Sequence, residues 1–439
     1  MLRFWLWGVL IYCAGILVAP WWAVAAFVGV GLGASLPRAQ ACAVAALVWL
    51  TGMVLGPPPW IFYETFFFEP SYLKKMALDG SAPGGVLLAP VLAALPWPRA
   101  RQKLIARVLL AGAVLAYLTL ATPLARGAYG ALNAEPADKS YFFDGVMLLK
   151  AHHLMRAGHG YYEANRLAFE KDQRTYEPGY PYQSLRPPYL FWAWSLLPSP
   201  GWIATAGWLF TAWSMVAMWW ARSADEDPVL SLAAPLLLAS WSVFFLTNLF
   251  MMFADYWGCL IVVSGLALYR RGKVAPAAAL LLLACLVREF CGLPLAVLLL
   301  LDARHRRKRA LLWLGLLGAA AVAYGVHEHF LRSVLGMHTS STAGSRLQGS
   351  VTLMFATLRF GSVYILGRDF LLPLLAAGNV LCRERVVAFS ALGLLLCWLK
   401  VGNPGFTQFY AMDFVPLIFW GAGIALSLHR GQPPADAID

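Results

Sequence analysis

Uninterrupted apolar segments recur along almost the whole chain, and the polar residues gather in the gaps between them. With 60% hydrophobic and only 13% charged residues, the chain has more apolar surface than a globular fold can hide. Lipid is the solvent in which such segments are stable. About 20 apolar residues cross a bilayer as a helix, and fewer suffice when the helix is short or tilted within a bundle. By that measure spans are expected near 4–19, 21–36, 40–56, 84–97, 104–122, 200–221, 229–248, 253–269, 275–288, 290–301, 310–331, 364–382, 386–401 and 410–428. The fold class expected is an all-α polytopic membrane protein of about 14 transmembrane helices. Arg3 followed by an apolar run could pass for a signal peptide. A second run follows almost at once, so the first is read as a retained span.

Charge placement supplies an orientation. Arg38, then Arg99, Arg101 and Lys103, then Arg270, Arg271 and Lys273 fall in alternate gaps, as do Arg304, Arg306, Arg307, Lys308 and Arg309. Arg383, Arg385 and Arg430 continue the pattern. All lie on one side if both termini are cytoplasmic, as the positive-inside rule requires. Lys74 and Lys75 are exceptions. The net charge of +12 is thus topogenic. No basic stripe interleaved with exposed aromatics points to nucleic acid. The 19 Trp and 17 Tyr, with pairs such as Trp5/Trp7, Trp21/Trp22 and Trp219/Trp220 near segment ends, suit interfacial belts. Cys13, Cys42, Cys259, Cys285, Cys291, Cys382 and Cys397 lie in or beside apolar segments. They have no zinc spacing and no loop disulfide partner, and read as small apolar residues.

Three outer stretches follow from this map, near 57–83, 123–199 and 332–363. The second is the longest polar stretch in the chain. Residues 144–157 have helical periodicity, with Met147, Leu148, Ala151, Leu154 and Met155 on one stripe and Lys150, His152, His153 and Arg156 mostly elsewhere. This predicts an amphipathic helix at the membrane surface. Asp144 opens it near the apolar stripe. A helix N-terminus stabilises a carboxylate as the anion, which suits a general base; a simple helix cap is the other reading. His327-Glu328-His329 contains metal-ligand types, but residues two apart on a helix diverge by about 200°. No metal site is therefore assigned. No P-loop or dinucleotide fingerprint is present.

The order Asp144, amphipathic segment, Gly158-His-Gly-Tyr-Tyr-Glu163, then Arg186-Pro-Pro-Tyr189 resembles the integral membrane GT-C glycosyltransferases. It looks closest to those that use polyprenyl-phosphate mannose. Asp255 opening a span, the Tyr269-Arg-Arg-Gly272 end, the Arg288-Glu289 turn and Phe409-Tyr410…Pro416 extend the likeness over roughly 104–439. In the family the catalytic loop usually follows the first span; here it follows the fifth. Residues 1–103 are therefore read as accessory transmembrane helices, which could recruit a partner, hold the acceptor or buttress the core. Residues 104–439 are read as a GT-C-like core that includes the outer loop 123–199.

The resemblance implies an inverting transferase of the bacterial inner (plasma) membrane. Its donor substrate would be a polyprenyl-phosphate sugar, its active site extracytoplasmic, and its acceptor a glycolipid, glycan or protein. No cofactor is assigned beyond that donor substrate. Asp144 is the candidate base, with Glu64, Glu69 and Asp79 as other outer carboxylates. Arg288, Arg186, Lys150 and His327 are candidates for the donor phosphate, because a guanidinium forks onto phosphate oxygens. Arg288 and Glu289 could equally form a structural ion pair. Tyr161, Tyr162, Glu163, Asp255, Glu289 and Tyr410 are candidates for binding substrate, beside Tyr180, Tyr182 and Asp413, with capping or interfacial anchoring as the alternative. A lipid-linked sugar transporter or flippase, a polysaccharide polymerase or ligase using a diphosphate carrier, and an assembly scaffold are the competing readings.

Overall fold

The computed structural model describes residues 102–134, 143–170, 186–223, 230–246 and 249–335, with a few isolated positions besides. Outside them lie the four spans expected before residue 100 and, but for a few positions, the three expected after 364. Glu64, Glu69, Asp79, Tyr180, Tyr182, Tyr410 and Asp413 also lie outside. Among the described residues every regular element is helical and there is no strand.

The helices are α1 (Gln102–Leu120), α2 (Thr122–Asn133), α3 (Phe143–Arg156), α4 (Tyr161–Glu170), α5 (Tyr189–Ser195) and α6 (Trp202–Arg222). After them come α7 (Ala233–Leu246), α8 (Ala254–Arg270), α9 (Val274–Val287), α10 (Leu293–Ala303) and α11 (Arg307–Leu335). Short 3₁₀ turns at Leu230–Leu232, Leu249–Met252 and Glu289–Gly292 join several of them. The expected span near 104–122 ends where α1 does. Pro123, in the first turn of α2, has no N–H for the helical ladder and breaks it.

The centre is the hairpin of α8 and α9. Gly272, at φ +72°, closes α8 by a paired-bond cap: its N–H reaches the Tyr269 carbonyl at 2.9 Å and the Lys273 N–H reaches Leu268 at 2.9 Å. That left-handed position favours glycine. The two helices then pack closely because Gly265 has no side chain; a Cβ there would lie 3.0 Å from Leu281. α6 packs on α8, where the buried Tyr256 hydroxyl donates to the Gly207 carbonyl at 3.1 Å and meets Thr211 Oγ1 at 2.7 Å.

The connectivity separates two chemistries. α8 starts at Asp255 and α9 returns to Arg288, so both stand at one end of the hairpin. The Gly272 turn, with Arg270, Arg271 and Lys273, stands at the other. There Arg271 donates to the Trp220 carbonyl and lies 4.8 Å above the Trp220 ring. α10 leaves the first end and delivers the run Arg304–Arg309 to the second. Buried Asp302 receives Trp313 Nε1 there at 2.8 Å, and α11 climbs back. α1 and α11 are long and apolar enough to cross a membrane by length and composition. Leu104, Val108, Leu115, Leu311, Leu314, Val322 and Val334 are exposed on them, so they are not buried core helices.

The polar loop forms a layer over the first end. The imidazole Nε2 of His153 donates to the Leu132 carbonyl at 3.0 Å. The Arg156 guanidinium caps the Leu197 and Pro198 carbonyls at 2.7 and 2.8 Å. The Gly201 N–H donates to Asn133 Oδ1 at 2.9 Å. Gly158, at φ +102°, ends α3 with the same cap as Gly272 and starts the chain back into α4.

One expectation changes here. α3 is helical where its periodicity predicts, and Met147 and Ala151 are fully buried; so, however, is His152, which the stripe leaves outside. α3 is packed by α4, by α5 and by the 249–252 turn, so its burial is wider than one amphipathic stripe.

Candidate functional site

The first end of the hairpin gathers residues from five elements into one ionic and aromatic network. Asp255, in the first turn of α8, lies with Oδ1 2.8 Å from Arg288 Nε. Arg288 sits in extended backbone (φ −146°, ψ 122°) just past α9. It is only 2% exposed. Its Nη1 donates to Glu289 Oε1 at 3.0 Å. The same oxygen accepts from Arg186 Nη1 at 2.7 Å. The Phe290 ring lies 4.9 Å from the Arg288 guanidinium carbon, close enough for a cation–π contact. Two guanidiniums and two carboxylates make the row neutral overall, as a buried charged group requires.

Gly258 makes this arrangement possible. A Cβ there would come within 2.8 Å of Cys291 Sγ and 3.1 Å of Arg288 Cβ. Only glycine lets the Arg288–Cys291 turn settle so closely on α8.

The aromatic part continues from Arg186. Tyr161 donates its hydroxyl to the Arg186 carbonyl at 2.5 Å and meets Tyr162 edge-on at 5.2 Å. Burial pushes the Tyr161 hydroxyl well above its ordinary pKa and that of Tyr162 up to about 12. Both stay protonated at neutral pH. Tyr162 Oη lies 3.0 Å from His327 Nδ1, within hydrogen-bond distance. Its ring stacks on His327 and Phe330 at 5.7 and 5.4 Å. Tyr324 anchors α11 to the same end by donating to the Cys285 carbonyl at 3.0 Å.

The structure thus brings together Arg186, Asp255, Arg288, Glu289, Tyr161, Tyr162 and His327. Glu163 is half exposed and pairs with His159 at 3.5 Å. Lys150 is half-buried on α3. Asp144 falls in the first turn of α3, but its side chain lies outside the described residues, as does Tyr410. Glu328 pairs with Arg332 at 3.0 Å, while His327 turns to Tyr162 and His329 lies edge-on to Phe330. Among the described residues no three His, Cys, Asp or Glu groups converge on a point that could hold a metal. Phe290, Gly258 and Tyr324 were not singled out from sequence. Gly258 and Gly265 on one helix were the available signal for a close approach.

Chemically the site offers guanidinium donors beside a wall of aromatic rings, a pairing suited to an anion attached to a ring or chain. Its tyrosines are donors. Asp255 is committed to Arg288, so a base would come from elsewhere.

Two expectations follow from burial. Removing one partner of a buried ion pair leaves the other uncompensated, at about 3–5 kcal/mol. Asp255→Ala is expected to lower the thermal midpoint in detergent substantially. Adding Arg288→Met to it is expected to recover much of the loss, whereas additive losses would mean that the pair is not coupled. The second concerns His152, which has no exposure and no hydrogen-bond partner on either ring nitrogen. Burial, then the charges of Arg156 and His153, push its pKa from 6.5 down to about 4. The unfolded chain therefore binds the proton first as pH falls. Stability present above pH 6.5 is expected to drop between 6.5 and about 4, by up to about 3 kcal/mol. His152→Leu should flatten that part of a melting-versus-pH curve; an unchanged slope would assign the acid loss to other groups.

No protein-family model, no curated protein and no solved structure matches this chain.

Proposed function

We propose that the protein is a multi-pass inner-membrane glycosyltransferase. On this reading it moves a sugar from a polyprenyl-phosphate carrier to an acceptor hydroxyl on the extracytoplasmic face. The observation that carries the reading is the meeting of Arg186 and Arg288 through one carboxylate oxygen, at the end of the bundle away from the basic turns. Both termini are cytoplasmic on this reading, and about 14 helices cross the bilayer. The basic turns face the cytoplasm by the positive-inside rule, which puts the polar layer outside.

Lipid-linked sugars meet the need of a transferase that works where nucleotide sugars are not supplied. Asp144 takes the proton of the acceptor hydroxyl. The acceptor oxygen bonds to the anomeric carbon from the face opposite the phosphate, with inversion. The carbon–oxygen bond to phosphate breaks, and its electron pair leaves with the polyprenyl phosphate, whose growing charge Arg288 and Arg186 stabilise. Tyr162 and His327 lie along the aromatic wall for the sugar or the first prenyl units. A transporter would carry its ionisable groups at mid-bundle; Asp255 and Arg288 stand at helix ends.

The test is transfer by purified, reconstituted protein from a panel of radiolabelled polyprenyl-phosphate and polyprenyl-diphosphate sugars to a membrane-lipid extract. Wild type is expected to use a monophosphate donor. Asp144→Asn, with unchanged folding, is expected to lose about 100-fold or more in rate. Equal rates in both proteins would make Asp144 a cap and shift the base to Glu64, Glu69 or Asp79. Transfer only from diphosphate donors would favour a polymerase or ligase.

A further inference from the structure

Glu289 stands where an anionic ligand would stand. Its Oε1 bridges Arg186 Nη1 at 2.7 Å and Arg288 Nη1 at 3.0 Å, two guanidiniums on separate elements. Its Oε2 is buried and has no hydrogen-bond partner, so the carboxylate fills the seat incompletely. Glu289 is 34% exposed and Arg186 25%, so this seat is not sealed from its surroundings. Arg288 does not need Glu289 to stay in place. Its Nε is held by Asp255 and its face by Phe290. The backbone carbonyl of Arg186 is held separately by Tyr161.

We propose that the Arg186–Arg288 pair seats a single phosphate group and that Glu289 is its built-in competitor. The carboxylate closes the empty seat and swings out when a phosphate enters. This rests on the lipid-phosphate reading above and adds how the seat opens. With Glu289 displaced, the two guanidiniums face the carboxylate of Asp255 among the described residues, an arrangement that favours a phosphate in the place of Glu289.

The test uses full-length protein in nanodiscs with farnesyl phosphate as probe, and farnesol and inorganic phosphate as controls. Wild type is expected to bind farnesyl phosphate and not farnesol. Glu289→Gln keeps the size of the side chain and removes its charge. It is expected to bind farnesyl phosphate about five- to tenfold more tightly. Arg186→Gln is expected to weaken binding in either background. Equal affinity in wild type and Glu289→Gln would overturn the competitor and leave the seat standing. Weaker binding by Glu289→Gln would overturn it too, making Glu289 a positioning group for Arg186. Failure of every protein to distinguish farnesyl phosphate from farnesol would remove both the competitor and the seat. Displacement of farnesyl phosphate by equimolar inorganic phosphate would assign the seat to free phosphate and overturn the lipid carrier as its ligand.

Discussion

A guanidinium taken out of water has to be held on several sides at once, and the packing around Arg288 answers that demand. Asp255 meets Nε, Glu289 meets Nη1 and the Phe290 ring covers a face. Gly258 makes room for them, because its missing Cβ lets the turn close on α8. The start of α8, the end of α9 and the start of α10 are fixed relative to one another by this one side chain. A charge of this kind contributes little net stability, since its desolvation offsets its pairing. Its presence in an apolar bundle points to use.

The polar layer depends on the same anchor. Arg186 precedes α5 and is tied to the bundle through Glu289, while its carbonyl is tied to α4 through Tyr161. Tyr162 carries the link on to α11 through His327. At the far edge Arg156, His153 and Asn133 close the layer on carbonyls and an N–H of neighbouring turns. The described parts of this loop are therefore bound to the helices at several points, which is what a preorganised site needs.

Much of the helical frame was legible because apolar length and basic gaps are strong signals. Residues 200–221, 253–269 and 275–288 are read from sequence within one or two residues of α6, α8 and α9. The periodicity of 144–157 matches α3 as closely. The Arg288-Glu289 turn, Arg186, Asp255 and the Tyr161-Tyr162 pair were singled out through the motifs that carry the family resemblance. Their meeting was not, since Arg186 and Glu289 are 103 residues apart. α2, α4 and α5 were missed because short helices in a polar loop carry little periodic signal. His152 was misplaced because a single stripe assumes one buried face, and α3 has several neighbours.

The central claim is that the network around Arg288 is a phosphate seat and that the basic turns at the other end are not. The most direct measurement is a single-particle structure of the protein in nanodiscs with a saturating non-transferable polyprenyl-phosphate sugar analogue. The account expects phosphate density within hydrogen-bond reach, about 3 Å, of both Arg186 and Arg288, with Glu289 turned away. Phosphate density against Arg304–Arg309 or the Gly272 turn, with the Arg186–Glu289–Arg288 row intact, would contradict it.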